Sequence, residues 1–306
     1  MRKPRMSLSR KARDQIDGTL FIALPILGLF TFVGIPLVFS LVLSFGKLNS
    51  FNITDITFVG FQNYIDIFKT DPTYWEAVGW SFLYAVATSL LQTVLALLIA
   101  FLLSKIKYGQ SGIRIILFIP YVCSVVAISY VWTMLLNYDF GVFNDILTKM
   151  GIPAIDFLKI EPYSIIMMVV MSVWSGLGYG TILYSAALGS VDKSLYESAD
   201  VFGSNGVQKF FKITLPSISP TTFFLLVMGM IGNLQAFANF QIMRPIFADK
   251  EIKTMVYQVW WAAFGDGATE YGMGYASALG WVSGVVIILF TFIMFKLQKK
   301  WVHYES

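Results

Sequence analysis

Six long stretches without a single charged residue decide what this chain can fold into. They cover residues 20–45, 77–104, 115–136, 163–191, 213–243 and 271–295. Each exceeds the roughly 20 apolar residues that span a bilayer's hydrocarbon core. With no water there, backbone N–H and C=O groups must be paired within the segment, as they are in a helix. Several runs are long enough to tilt or to carry an interfacial end. The runs predict an all-α polytopic membrane protein with six transmembrane helices. Composition agrees: 13% of the 306 residues are charged, against about 25% in soluble domains. Pro25 and Pro36 inside the first run predict kinks, tolerated where neighbouring helices cover the freed carbonyls.

All charges fall between the runs, and their distribution orients the chain. Lys plus Arg is 6, 2, 3, 2, 3, 3 and 3 in successive segments, and Asp plus Glu is 2, 4, 0, 4, 3, 4 and 1. Alternate segments therefore hold 15 basic residues on one side and 7 on the other. The positive-inside rule puts both termini in the cytoplasm. The expected organisation is a basic cytoplasmic N-terminus (1–19), a six-helix transmembrane domain (20–295) and a cytoplasmic tail (296–306). The net charge of +4 is a topology signal, and nucleic-acid binding is not expected. The basic start resembles a signal peptide, but the run behind it is too long for a cleaved segment and predicts an uncleaved first span. The single cysteine, Cys123, rules out an internal disulfide, no metal site is expected, and His303 is expected to be solvated.

The segment between the fourth and fifth runs, 189–212, is neither a plain linker nor a tight turn. Ser194 and Glu197 form an S-x-x-E capping box that predicts a helix start. Leu195, Ala199 and Phe202 then fall on one apolar stripe. Gly203 suits a left-handed helix end. A second short helix is predicted from Asn205, with Val207, Phe210 and Phe211 on one face. Pro216 and Pro220 lead into the next run. Two amphipathic helices outside the bilayer need a cover: the headgroups, the chain's own helix ends, or a partner.

Tyr196-Glu197-Ser198-Ala199-Asp200, Gly203 and Ile213-Thr214-Leu215-Pro216 resemble the "EAA" loop of ABC importer permeases. Ser198 departs from that motif, standing where the first alanine is usual. Further resemblances run nearly end to end. They are Phe58-Val59-Gly60-Phe61-Gln62-Asn63-Tyr64, Arg114 with Phe118-Ile119-Pro120, Trp132, Gly141, Asn144 and the tail Trp301-Val302-His303-Tyr304. The chain is similar to carbohydrate-type binding-protein-dependent importers, the group of maltose, multiple-sugar and glycerol-phosphate permeases, and looks like the first permease of a pair. The resemblance implies a coupling loop (189–216) whose Leu195, Tyr196, Glu197, Ser198, Ala199, Asp200, Phe202, Gly203, Leu215 and Pro216 engage an ATPase. It implies a second homologous permease, two ATP-binding subunits carrying ATP and Mg, an extracytoplasmic solute-binding protein, and a bacterial or archaeal cytoplasmic membrane. Transport would proceed by alternating access. No G-x-x-x-x-G-K-[ST] occurs, so ATP is expected on partner chains and no cofactor on this one.

No ionisable residue lies in any run, which favours an uncharged polar solute. The fifth run supplies amides at Asn233, Gln235, Asn239 and Gln241. Gln235 and Asn239 would share a helix face, and unpaired amides in hydrocarbon are costly. Trp174, Tyr179, Tyr130 and Trp132 offer aromatic faces for sugar rings. Each also has a plain reading as interhelical glue or interfacial belt. Gly176-x-Gly178-x-Gly180 predicts close packing or a break. Helix termini bind anions without a basic side chain, so a glycerol phosphate substrate stays open. An ion-coupled secondary transporter is the main rival reading. A membrane-embedded enzyme would need loop groups such as Asp139 and Glu161 to act together.

Overall fold

The computed structural model describes residues 10–48, 56–160, 162–247, 250–269 and 272–303. Glu161, Tyr304 and residues 1–9 of the basic N-terminus lie outside them. The described residues are mostly helical, with two antiparallel ribbons of two-residue strands among them, Gly46–Lys47 with Thr57–Phe58 and Ile246–Phe247 with Lys250–Glu251. Four helical stretches are long and apolar enough to cross a membrane: Gly18–Leu43, Pro72–Ser104, Tyr163–Ser190 and Gly272–Gln298. Two bent pairs, Gln110–Val122 with Val125–Leu135 and Gly206–Ser217 with Ser219–Leu234, bring the number to as many as six.

The first stretch joins α1 (Arg10–Leu29) to α2 (Ile35–Leu43) through a π-helical segment, Phe30–Gly34. Pro36 has no N–H and its ring would strike the carbonyl one turn back. Widening the preceding turn, with the Ile35 N–H bonded to the Phe30 carbonyl, absorbs it. The kink expected at Pro36 is thus a local widening within one continuous span. A second π segment, Phe210–Thr214, likewise precedes Pro216 after one intervening residue, Leu215.

Two expected spans are broken. Residues 115–136 split into α5 (Gln110–Val122) and α6 (Val125–Leu135), bent by 96°. Cys123 and Ser124 are extended at the bend, three residues after Pro120. Residues 213–243 are not one helix either. After α11 (Leu215–Ser217), the chain bends by 63° into α12 (Ser219–Leu234), which ends at Gln235. A separate α13 (Ala238–Met243) follows. Gln235 and Asn239 therefore do not share a helix face. Prolines 216 and 220 set the first break.

Helix α4 (Pro72–Ser104) is the spine: α8 (Tyr163–Ser190) and α12 pack along it, α5 packs on α8, and α14 (Met255–Phe264) packs on α15 (Gly272–Gln298). Apolar burial gives little preference for one helix over lipid tails, so small residues and polar ties join the helices, each tie worth about 0.6 kcal/mol. Tyr74 Oη and Ser283 Oγ lie 2.9 Å apart, and Tyr184 donates to Thr222 at 3.1 Å. Tyr275 donates at 2.7 Å to Asp71, whose other carboxylate oxygen caps the start of α4. The glycine stripe divides its faces between neighbours. A Cβ on Gly178 would stand 2.2 Å from the Leu117 carbonyl of α5, and one on Gly180 2.8 Å from Ala96 Cβ of α4.

Several residues behind the family resemblance have structural tasks. Asn63, on α3 (Gln62–Lys69), donates to the Ser44 and Gly46 carbonyls at 2.8 and 2.9 Å, fastening the end of the first span. Asn144, on α7 (Val142–Lys149), donates to Ile155 O and accepts from Ile155 N, at 2.9 and 2.8 Å.

Candidate functional site

Two adjoining cavities, of about 300 and 500 Å³, open between α4, α5, α8 and α12 and share Gln92, Tyr121, Gly176, Gly232 and Asn233. Gln92 lies near the middle of α4, so the space sits at mid-span. Its position depends on Gly176. A Cβ there would stand 1.3 Å from the Gln92 amide nitrogen. The missing side chain is the room that Gln92 occupies. Asn233 donates to Ser89 at 3.1 Å, and Asn239, 5% exposed, donates to Tyr84 Oη at 2.8 Å. Tyr84 Oη also meets Ser172 Oγ. Tyr121 and Tyr179 stack at 4.9 Å with their planes 11° apart.

The cavity wall sets amide, hydroxyl and phenol groups among glycines and apolar side chains such as Leu225, Met228, Val125 and Met171, with no Asp, Glu, Lys or Arg. Fixed hydrogen-bonding groups beside aromatic faces suit an uncharged polyol. Of the candidates from the sequence, Asn233, Gln235, Asn239 and Tyr179 line it. The others stand elsewhere. Trp132 is buried and packs with Phe143 and Trp174, and Tyr130 is exposed on α6. Gln241 sits partly buried on α13. Sequence reasoning missed Gln92, Tyr84, Tyr121, Ser172 and Ser175. Gln92 did leave a signal, as the one amide in residues 77–104.

Below this cavity lies the 189–216 segment. Helix α9 (Lys193–Val201) is capped by Asp192, whose carboxylate accepts from Ser194 N at 2.9 Å. The Ser194–Glu197 box does not start it. A carboxylate two residues earlier takes the open N–H groups, so Ser194 sits inside the first turn. That bond holds the Asp192 carboxyl below its usual range. At the other end Gly203 is left-handed, φ +70°. Gly203 N bonds Asp200 O and Ser204 N bonds Ala199 O, both at 2.9 Å, which is a Schellman closure. Asn205 then starts α10 (Gly206–Lys209), in a reciprocal box with Gln208 at 2.8 and 2.9 Å.

One side of this pair is anchored and one is bare. Tyr196 packs with Ile213 beside Ala96, Ala100, Tyr184 and Ile218, and its hydroxyl meets Thr214 Oγ1 at 2.8 Å. Asp200 pairs with Lys209 across the two helices. Val201, Phe202 and Val207 are 85%, 88% and 67% exposed, and Leu195 and Phe211 are exposed with them. Glu197 and Ser198 are exposed, Ala199 half-buried. Leu215 and Pro216, half-buried, join the pair to α12, which continues to Asn233 in the cavity wall.

At the other end of the molecule, Arg244 forks onto Glu251 with two bonds of 3.0 Å, and Tyr257 donates to the same carboxylate at 2.6 Å. Partial burial would raise the Glu251 pKa, but the bonds from Arg244 and Tyr257 outweigh it and hold the carboxyl below its usual value.

Residues 18–303 match the family of binding-protein-dependent transport system inner membrane components. The chain belongs to that family. It is 34% identical over 304 residues to the probable ABC transporter permease protein YesP of Bacillus subtilis (strain 168), covering 98% of this chain and 96% of that one. It is 30% identical over 265 residues to the arabinooligosaccharides transport system permease protein AraP of Halalkalibacterium halodurans, covering 85% and 79%. The sn-glycerol-3-phosphate permease protein UgpA of Brucella abortus is 29% identical, with 86% and 87% covered. The fold matches a chain of a bacterial ABC transporter that imports the acidic polysaccharide alginate, with a TM-score of 0.78, 21% identity, and 95% and 99% coverage. A complex of an alginate ABC transporter with a pentasaccharide-bound periplasmic protein contains a similar chain, TM-score 0.79, 20% identity, and 94% and 95% coverage.

Proposed function

We propose that this chain is one of two permease subunits of an ATP-driven importer that moves an uncharged sugar or oligosaccharide across the cytoplasmic membrane. Six spans carry it, both termini face the cytoplasm, and residues 189–216 are the coupling loop. The observation that carries this reading is the bare apolar face of Val201, Phe202 and Val207, on a helix pair anchored from behind by Tyr196.

A solute-binding protein delivers the sugar from outside, and two ATP-binding subunits hydrolyse ATP on the inside. An ATPase groove seated on Val201 and Phe202 moves the loop. The Tyr196–Thr214 tie passes the movement to α11 and α12, and α12 carries Gly229, Gly232 and Asn233 into the cavity wall. Alternation of the two ends of that cavity is the transport step. Sugar hydroxyls would pair with Gln92, Asn233 and Asn239 while the stacked Tyr121–Tyr179 pair lies alongside the ring. A phosphate ester fits less well, because no Lys or Arg lines either cavity. Ion-coupled transport is disfavoured by the absence of ionisable residues from the apolar runs.

The test is reconstitution of the intact complex in proteoliposomes. Sugar uptake should require ATP inside and binding protein outside, and should persist when proton and sodium gradients are collapsed. Uptake driven by an ion gradient without ATP would overturn the proposal.

A further inference from the structure

A third cavity, of about 570 Å³, lies between the end of α4, the start of α5 and the 189–216 segment, apart from the mid-span space. Three cations line it: Lys105, Arg114 and Lys209. No carboxylate does. Lys209 is paired outward with Asp200. Lys105 lies over the Phe101 ring, 4.4 Å from its centre, and has no ion pair among the described residues. Among the described residues Arg114 donates to the Gln110 amide oxygen alone, at 3.2 Å, an uncharged partner.

Two of the lining residues carry an orphaned donor. Arg114 Nε and Ser185 Oγ are both buried, both without a hydrogen-bond partner, and both residues line this cavity. Buried polar atoms in native proteins are nearly always satisfied, and an orphan asks for an absent partner. A guanidinium with an unpaired Nε is a fork for two oxygens of one anion. Helix α5, 13 residues long, starts at the cavity after Gly109, which supplies no side-chain cap. Its first N–H groups add positive potential there.

We propose that this cavity binds a phosphate-class anion, held by Arg114 and Lys105 with Ser185 and the start of α5. The ligand bridges α4 and α5 to the Tyr196 side of the loop, so it stiffens the element that transmits movement to α12. Two sources share this chemistry: an anionic phospholipid headgroup, favoured by the basic segment's expected place at the inner leaflet, and a free phosphate. The proposal does not depend on what the mid-span cavity carries, because it is read by binding alone.

The experiment uses the purified intact complex. Thermal stability is followed in inorganic phosphate against chloride at equal ionic strength. Retained lipid is weighed by native mass spectrometry after nanodiscs of phosphatidylglycerol or phosphatidylcholine. Wild type should be stabilised by phosphate or retain phosphatidylglycerol preferentially; the first result assigns a soluble ligand, the second a lipid. The K105Q/R114Q variant should weaken that binding at least tenfold. R114K keeps the charge but lacks the fork, so it should lose several-fold, and S185A should lose a few-fold. Wild type that treats phosphate as chloride and phosphatidylglycerol as phosphatidylcholine overturns the proposal. So does unchanged binding in both K105Q/R114Q and S185A; if the double variant fails to fold, S185A alone decides.

Discussion

Tyr196 and Thr214, 18 residues apart in the chain, meet through their hydroxyls at 2.8 Å and close the base of the helix pair that displays Phe202. The bond joins the inward side of α9 to the turn that enters α12. Removing it should uncouple the loop from the span without unfolding either. Tyr196→Phe loses one hydrogen bond, about 1 kcal/mol. The expected outcome is ATP hydrolysis near the wild-type rate with uptake reduced roughly 5-fold, measured as sugar moved per ATP in proteoliposomes.

Phe202→Asp and Glu197→Lys change residues whose side chains are exposed. Both should leave the chain inserted and stable in the membrane while uptake is abolished. Membrane content by immunoblot and sugar uptake in cells measure the two quantities. Normal uptake in both variants removes the docking role from α9.

Gly176→Ala places a methyl group where the Gln92 amide now stands. That amide is the free end of a flexible side chain, so it can swing aside and folding should survive. The amide would leave the cavity wall, and uptake should show a raised KM, on the order of tenfold, as expected for a lost hydrogen-bonding group. Gln92→Ala should show the same defect. Adding Gly176→Ala to Gln92→Ala should cost nothing further, which a double-mutant cycle reads.

Glu251 gives a pH dependence whose sign is fixed. Its folded pKa lies below the unfolded one, so its contribution is complete above the unfolded value and is lost as pH falls through the folded value. The Arg244–Glu251–Tyr257 tie should therefore weaken only on acidification. Thermal melts should show wild type losing stability relative to Glu251→Gln below the ordinary carboxylate range, with a constant gap at neutral pH.

The sequence made the apolar runs, the amphipathic segment and the left-handed Gly203 legible, because each rests on local periodicity or on one residue's backbone freedom. The bends at Cys123 and Ile218 were not legible. An apolar run reports depth in the membrane, and it reports nothing about direction within it. The cap at Asp192 was misread because an S-x-x-E pattern also lay in range, and the two acceptors compete for the same N–H groups. Gln92 was overlooked for a different reason. A lone amide among aliphatic residues gains meaning only when Gly176, on another helix, leaves space for it.

The central claim is that an ATP-hydrolysing partner seats on the face of Val201, Phe202 and Val207. The most direct test is purification of wild type and Phe202→Asp in mild detergent, with identification of the chains that co-purify and an assay of ATP hydrolysis. Wild type should bring down an ATPase and a second permease, with hydrolysis stimulated by the binding protein, and Phe202→Asp should lose the ATPase alone. A wild-type chain that purifies without an ATPase in several detergents, or a Phe202→Asp chain that retains it fully, would contradict the account.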